Sequence, residues 1–125
     1  MSVYIIAEAG VNHNGNLELA CELIDAAADA QVDAVKFQTF VADSLVTLTA
    51  KKADYQIRST DPIESQHNML RRLELKQAEF TILRDHAEKK GISFLSTAFD
   101  NLSLDFLNNK LSLQTLKIPS GEITN

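Results

Sequence analysis

A single cysteine, Cys21, among 125 residues excludes an internal disulfide framework. It stands in an alanine-rich stretch without basic neighbours, which marks a small packed thiol and not a reactive one. No apolar run approaches the roughly 20 residues needed to span a bilayer. The N-terminus shows no charged leader followed by an apolar stretch and a small-residue cleavage site, so the expectation is a soluble, cytoplasmic protein with no membrane partner. Positive charge is scarce as well. Twelve Lys and Arg against 17 Asp and Glu leave a net charge of −5 and a pI near 5.1. The basic residues cluster no further than the pairs Lys51-Lys52, Arg71-Arg72 and Lys89-Lys90, which excludes a nucleic-acid footprint. Two prolines and four glycines mark no long linker, low-complexity tract or domain boundary. What is present is 45% apolar residues, enough for one packed core.

"VYIIAEAG" opens as a short apolar run ended by Gly10, the pattern of a strand buried on both faces. After the loop "VNHNGN", with Asn16 as N-cap, "LELACELIDAAADAQ" repeats apolar residues at three- and four-residue spacing and predicts an amphipathic helix. "DAVKFQTF" is a second strand. From about Val41 to Leu75 runs a long polar insertion with "STDP" as its clearest turn signal, a length that is usually functional inside a compact domain. "LKQAEFTILRDHAEKKG" is a helix closed by Gly91 at C′. "ISFLSTAF" then predicts a third strand, "DNLSLDFLNNK" a short helix capped by Asp100, and "LQTLKI" a fourth strand. Alternating buried strands and helices imply parallel pairing with right-handed crossovers.

In such a sheet the functional side chains gather at the C-terminal ends of the strands. Glu8 ends the first strand, Lys36 and Gln38 the second, Ser96 and Thr97 the third, and Lys117, Ser120 and Glu122 the fourth. Two lysines with the hydroxyls of Thr97 and Ser120 suit a phosphate or carboxylate, each charge-assisted hydrogen bond contributing about 1.5–3 kcal/mol. The alternative is that Lys36 and Lys117 form structural ion pairs with Glu8 and Glu122, and the two readings overlap. Those carboxylates are equally candidates for acid, base or metal-shell work. His13, alone between two asparagines, lacks ligand partners at a recognised spacing and reads as part of a structured loop. His86 reads as an exposed residue near a helix C-terminus. His67, in "ESQHNMLRRLEL", belongs to a segment that could fold over the pocket as a lid.

Taken together, "AEAGVNHNG" at residues 7–15, "VKFQTF" at 35–40, "MLRRLEL" at 69–75, "FLSTAFD" at 94–100 and "LKIPSGEITN" at 116–125 resemble the N-terminal part of the N-acetylneuraminate synthase (sialic acid synthase) family. The resemblance implies a (β/α)₈ TIM-barrel enzyme that condenses phosphoenolpyruvate with an N-acetylated amino sugar of the N-acetylmannosamine type. The products are a nonulosonic acid and phosphate. It further implies that Lys36, Thr97, Lys117 and Ser120 hold phosphoenolpyruvate, that Gln38 and Glu122 face the sugar and the reacting centre, and that Glu8 lies beside them. Asn12 joins the substrate-binding set, and Glu122, Glu8 and Gln38 are the catalytic candidates. A divalent metal, Mn or Mg, is implied for the full-length enzyme, with ligands beyond residue 125, as is a homodimer. Two departures stand out: Ala98 replaces a proline frequent in the family, and His67-Asn68 replace an aromatic and an acidic residue.

A barrel of this type has eight strands and about 250 residues. Four strands are readable here, so the expectation is a half barrel: the first four βα units, without the C-terminal half-barrel or the family's antifreeze-like domain. An open half barrel leaves unpaired edges that favour self-association. Two functions follow from this reading. One is a phosphoenolpyruvate-dependent synthase active only when complete; the other is a silent half-barrel module that at most binds phosphate or phosphoenolpyruvate.

Overall fold

The computed structural model describes residues 2–45 and 66–124. Three parallel strands, β1 (Ile6–Gly10), β2 (Ala34–Thr39) and β3 (Ser93–Ala98), form one sheet in the order β1-β2-β3. Each crossover carries a helix: α1 (Leu17–Asp29) between β1 and β2, and α4 (Gln77–Lys89) before β3. The insertion between β2 and α4 contributes a helical turn, α2 (Ala42–Leu45), and a helix, α3 (Gln66–Leu73). The "STDP" signal lies outside the described residues.

Strand parity divides the chemistry. Val35, Phe37 and Phe94 point into the helical layer, where they meet Ile24 of α1 with Phe80 and Leu83 of α4. Phe37 stacks on Phe94 at 5.6 Å between ring centroids and on His13 at 6.1 Å, an aromatic column that crosses the sheet beneath the helices. Removing a buried ring of this kind costs about 3–5 kcal/mol.

The helix ends follow their local chemistry. The Asn16 side chain accepts the Leu19 amide at 2.9 Å to start α1. Asp100 does the same for Ser103 at 2.8 Å to start α5 (Asn101–Asp105), which continues into a π-helical turn over Phe106–Lys110. Lys90 ends α4, and Gly91 follows at φ +81°.

The predicted fourth strand is corrected. "LQTLKI" reduces to a single parallel bridge between Thr97 and Lys117. Gln114 and Thr115 are exposed, and Pro119, two residues after Lys117, has no amide to donate. The segment ends in a 3₁₀ turn, Ser120–Glu122. Among the described residues no helix is long and apolar enough to cross a membrane.

Candidate functional site

The face of the sheet opposite the helices carries Glu8, Lys36, Gln38 and Thr97. Glu8 pairs in register with Lys36, Gln38 with Thr97, and Thr97 with Lys117, so the five lie in adjacent rows on one face. Lys36, only 17% exposed, forms an ion pair with the half-exposed Glu8 carboxylate. That pairing satisfies a cation which would be costly to desolvate alone. Gly10 breaks the register of β1, and a Cβ there would lie 3.2 Å from Glu8 Oε1 and 3.5 Å from Gln38 Nε2. The glycine thus leaves room for both side chains. Thr97 is buried beside them.

Lys117 and Glu122 enter a cleft of about 380 Å³ beyond the end of β3, shared with Asp100, Asn101, Phe99 and Pro119. A second cleft of about 380 Å³ shares Asp100, Asn101 and Glu122 and adds Ser44 from α2. The structure therefore brings the predicted residues together in two adjoining groups. One is the sheet face with Glu8, Lys36, Gln38 and Thr97. The other is the cleft with Lys117 and Glu122. Ser120 sits exposed on the 3₁₀ turn, one residue removed from Gly121 and two from Glu122. Asn12 is exposed in the loop after β1, its amide bonded to the Ala9 carbonyl.

Ser96 ends the third strand with Thr97 but does not share its side of the sheet. It is fully buried on the helical side, its hydroxyl 2.6 Å from that of Thr39. Odd and even residues of one strand cannot share a face, and Thr97 occupies the open one.

The histidines also resolve. His13 is fully buried; its Nδ1 accepts the Gly15 amide at 2.9 Å, which puts the proton of the neutral ring on Nε2, and Nε2 has no partner among the described residues. Burial holds its pKa below the ordinary imidazole value, against a smaller upward pull from Glu79. His86 is not simply exposed: it bonds Asp25 of α1 at 2.7 Å, and Lys90 joins the same carboxylate at 3.3 Å. The hydrogen bond from His86 is the main cause that holds Asp25 below its usual pKa. The segment read as a lid begins at Glu64 and Ser65, outside the described residues, and His67 follows in α3. It is 3% exposed and bonds Asp43 of α2. Cys21 is partly buried, and burial pushes its thiol pKa up, next to Asp25 and Glu18.

Sequence reasoning missed the reach of Asp100. Besides capping α5, one oxygen accepts the Val41 amide at 2.8 Å and the Ser103 hydroxyl at 3.0 Å, tying the loop after β2 to the loop after β3. Its position before a helix signalled the cap alone. Among the described residues no group of three or more His, Cys, Asp or Glu side chains is arranged to hold a metal ion.

The geometry has close counterparts. The chain is 53% identical over 125 residues to the N,N'-diacetyllegionaminic acid synthase of Legionella pneumophila, covering 100% of this chain and 35% of that protein. It is 54% identical over 121 residues to the enzyme of the same name from Campylobacter jejuni, covering 97% and 36%. The chain therefore spans about a third of the length of these curated relatives. Among solved structures it is similar to an N-acetylneuraminic acid (sialic acid) synthetase from Leptospira borgpetersenii in complex with citrate. The TM-score is 0.74 and the identity 34%, over 94% of this chain and 36% of that one. The NeuB family matches residues 23–125, a span that takes in β2, β3 and the Lys117–Glu122 cleft, and the chain belongs to that family.

Proposed function

We propose that this chain is the N-terminal part of the barrel of a phosphoenolpyruvate-dependent synthase, which joins phosphoenolpyruvate to an N-acetylated amino sugar and releases a nonulosonic acid and phosphate. The observation that carries the reading is the row of Glu8, Lys36, Gln38 and Thr97 on one sheet face, continuing through the Thr97–Lys117 bridge to Glu122. Identities of 53% and 54% to two N,N'-diacetyllegionaminic acid synthases favour an acceptor with two acetamido groups. Full activity belongs to the longer protein, in which further strands close the barrel and cover the exposed apolar residues Val3, Ile5, Ile118 and Ile123.

In this reading Lys36 and Lys117 carry the phosphate and carboxylate of phosphoenolpyruvate, with hydrogen bonds from Thr97 and Ser120 fixing its orientation. Asn12 and Gln38 hold the sugar. C3 of phosphoenolpyruvate attacks the carbon of the open-chain aldehyde, and the aldehyde oxygen takes a proton to become a hydroxyl. Water adds to the cationic C2 and loses a proton, and the adduct breaks its C2–O bond to release phosphate and leave a ketone. Glu122 handles the proton at the aldehyde or the water, with Glu8 beside Lys36 setting the charge of the site. The lysines act throughout by electrostatics, which count most where water is excluded. The described residues do not form a metal site, so no step here runs through the divalent Mn or Mg that the family resemblance implies. Its ligands would come from elsewhere in a longer protein, and the working enzyme would be a homodimer.

A phosphate-release assay on the full-length protein tests this. Release that requires both phosphoenolpyruvate and a diacetamido sugar is the expected result. Binding of phosphoenolpyruvate without turnover by the full-length protein would favour the silent module.

A further inference from the structure

The helical turn α2 forms one rim of the cleft that contains Glu122, because Ser44 lines that cleft together with Asp100 and Asn101. Four residues cannot hold a helical turn in place by their own hydrogen bonds. Three contacts from other elements do so. The Val41 amide donates to Asp100 Oδ2 at 2.8 Å, the Ala42 amide donates to Glu74 Oε2 at 3.2 Å, and Asp43 Oδ1 bonds His67 Nε2. Two of these three come from α3 and the residue after it.

The His67–Asp43 contact is asymmetric. The imidazole is 3% exposed, whereas the Asp43 side chain is 68% exposed. A buried, immobile ring therefore grips a carboxylate at the rim. Among the described residues, the groups that act on Asp43 are His67 and, at longer range, Arg71 one turn further along α3; both hold its pKa down, with the hydrogen bond from His67 as the main cause. The base of α3 is fixed independently. The Arg72 carbonyl presses against Gly15 so closely that a Cβ there would lie 2.2 Å from it, and Leu75 enters the core. α3 is thus a strut anchored on the loop after β1, and His67 is the end of the strut that reaches the loop after β2.

The geometry points to His67 as a positioning residue that, through Asp43, fixes the α2 rim of the cleft in which Glu122 meets the amino sugar. This rests on the proposed synthase function and goes beyond it, because it assigns sugar affinity to a residue that touches no substrate. None of the residues proposed to hold phosphoenolpyruvate lines this cleft: Lys36 and Thr97 lie on the sheet face, and Lys117 lines the adjoining cleft.

The test uses the full-length protein and four variants. His67→Phe and Asp43→Ala each raise KM for the diacetamido sugar about tenfold, with kcat and KM for phosphoenolpyruvate within about twofold. The double variant is no worse than either single one, since both remove one contact. His67→Gln, which keeps a side-chain N–H, stays near the parent. Asp43 is exposed, so Asp43→Ala reports even if His67→Phe fails to fold. Additive effects, or an unchanged sugar KM in Asp43→Ala, would overturn the assignment. An independent readout separates this from failure of the proposed function: amide exchange at Ala42 and Ser44 accelerates in Asp43→Ala whether or not the protein turns over these substrates. Unchanged exchange at both amides would overturn the strut itself.

Discussion

His13 stacks on Phe37 at 6.1 Å with its Nδ1 taken by the Gly15 amide, so a titratable ring from the loop that carries Asn12 is held inside the core. Protonation would convert Nδ1 from acceptor to donor and break the Gly15 contact. Burial lowers the folded-state pKa below that of the unfolded chain, about 6.5, so the unfolded state binds more protons as pH falls. The stability contributed by neutral His13 is fully present above about pH 6.5 and is lost as pH drops below it, by up to about 1.4 kcal/mol per pH unit. His13→Asn keeps an acceptor for Gly15 without a titrating ring. Its unfolding free energy is expected to fall less steeply between pH 7 and 5 than that of the parent in denaturant titrations. Identical slopes would remove His13 from the account.

Gly15 and Gly91 both have positive φ, +74° and +81°, but only Gly15 is also crowded. A Cβ at Gly91 meets nothing within 4 Å, so Gly91→Ala is expected to cost only the conformational term, about 1–2 kcal/mol. At Gly15 the Arg72 carbonyl is backbone and cannot swing aside, which adds overpacking of about 1–3 kcal/mol. Thermal melts should therefore rank Gly15→Ala well below Gly91→Ala. Equal melting temperatures would show that α3 does not press on this loop.

These two glycines also mark what was legible in the sequence. Gly91 could be read as a helix stop from the lysines before it, because the signal is local. Gly15 gave no hint that Arg72, far along the chain, would be packed against it. The same divide holds for the site. Lys36, Gln38 and Thr97 were placed on a strand-end face by their spacing, and register brings them side by side. Ser96 ends the same strand as Thr97, but strand parity turns it to the helical side. The capping role of Asp100 was visible, but its bond to Val41 was not. His67 and His86 looked like a lid residue and a surface residue because their carboxylate partners, Asp43 and Asp25, lie 24 and 61 residues away. The fourth strand failed for a local reason, the proline after Ile118, that a run of apolar residues obscured.

Exposed apolar residues bracket the sheet, with Val3 at 80% and Ile118 at 68% exposure on its two flanks. Edges of this kind seek partners. The 125-residue polypeptide alone is expected to sediment as dimers or larger species, and Val3→Lys with Ile118→Lys should shift it toward monomer. A monodisperse monomer without those substitutions would contradict the expectation.

In the proposed function the strand-end residues run a phosphoenolpyruvate-dependent condensation. Phosphate release by the full-length protein, with phosphoenolpyruvate and a diacetamido sugar, tests this most directly when parent, Lys36→Ala and Glu122→Gln are compared. Release is expected in the parent, with a loss of kcat/KM for phosphoenolpyruvate in Lys36→Ala of roughly 10- to 100-fold, as the removal of a charge-assisted contact implies. In Glu122→Gln, kcat is expected to fall roughly 100-fold or more, the usual scale for a lost acid-base group. Full turnover in Glu122→Gln, or no sugar-dependent phosphate release from the parent, would contradict it.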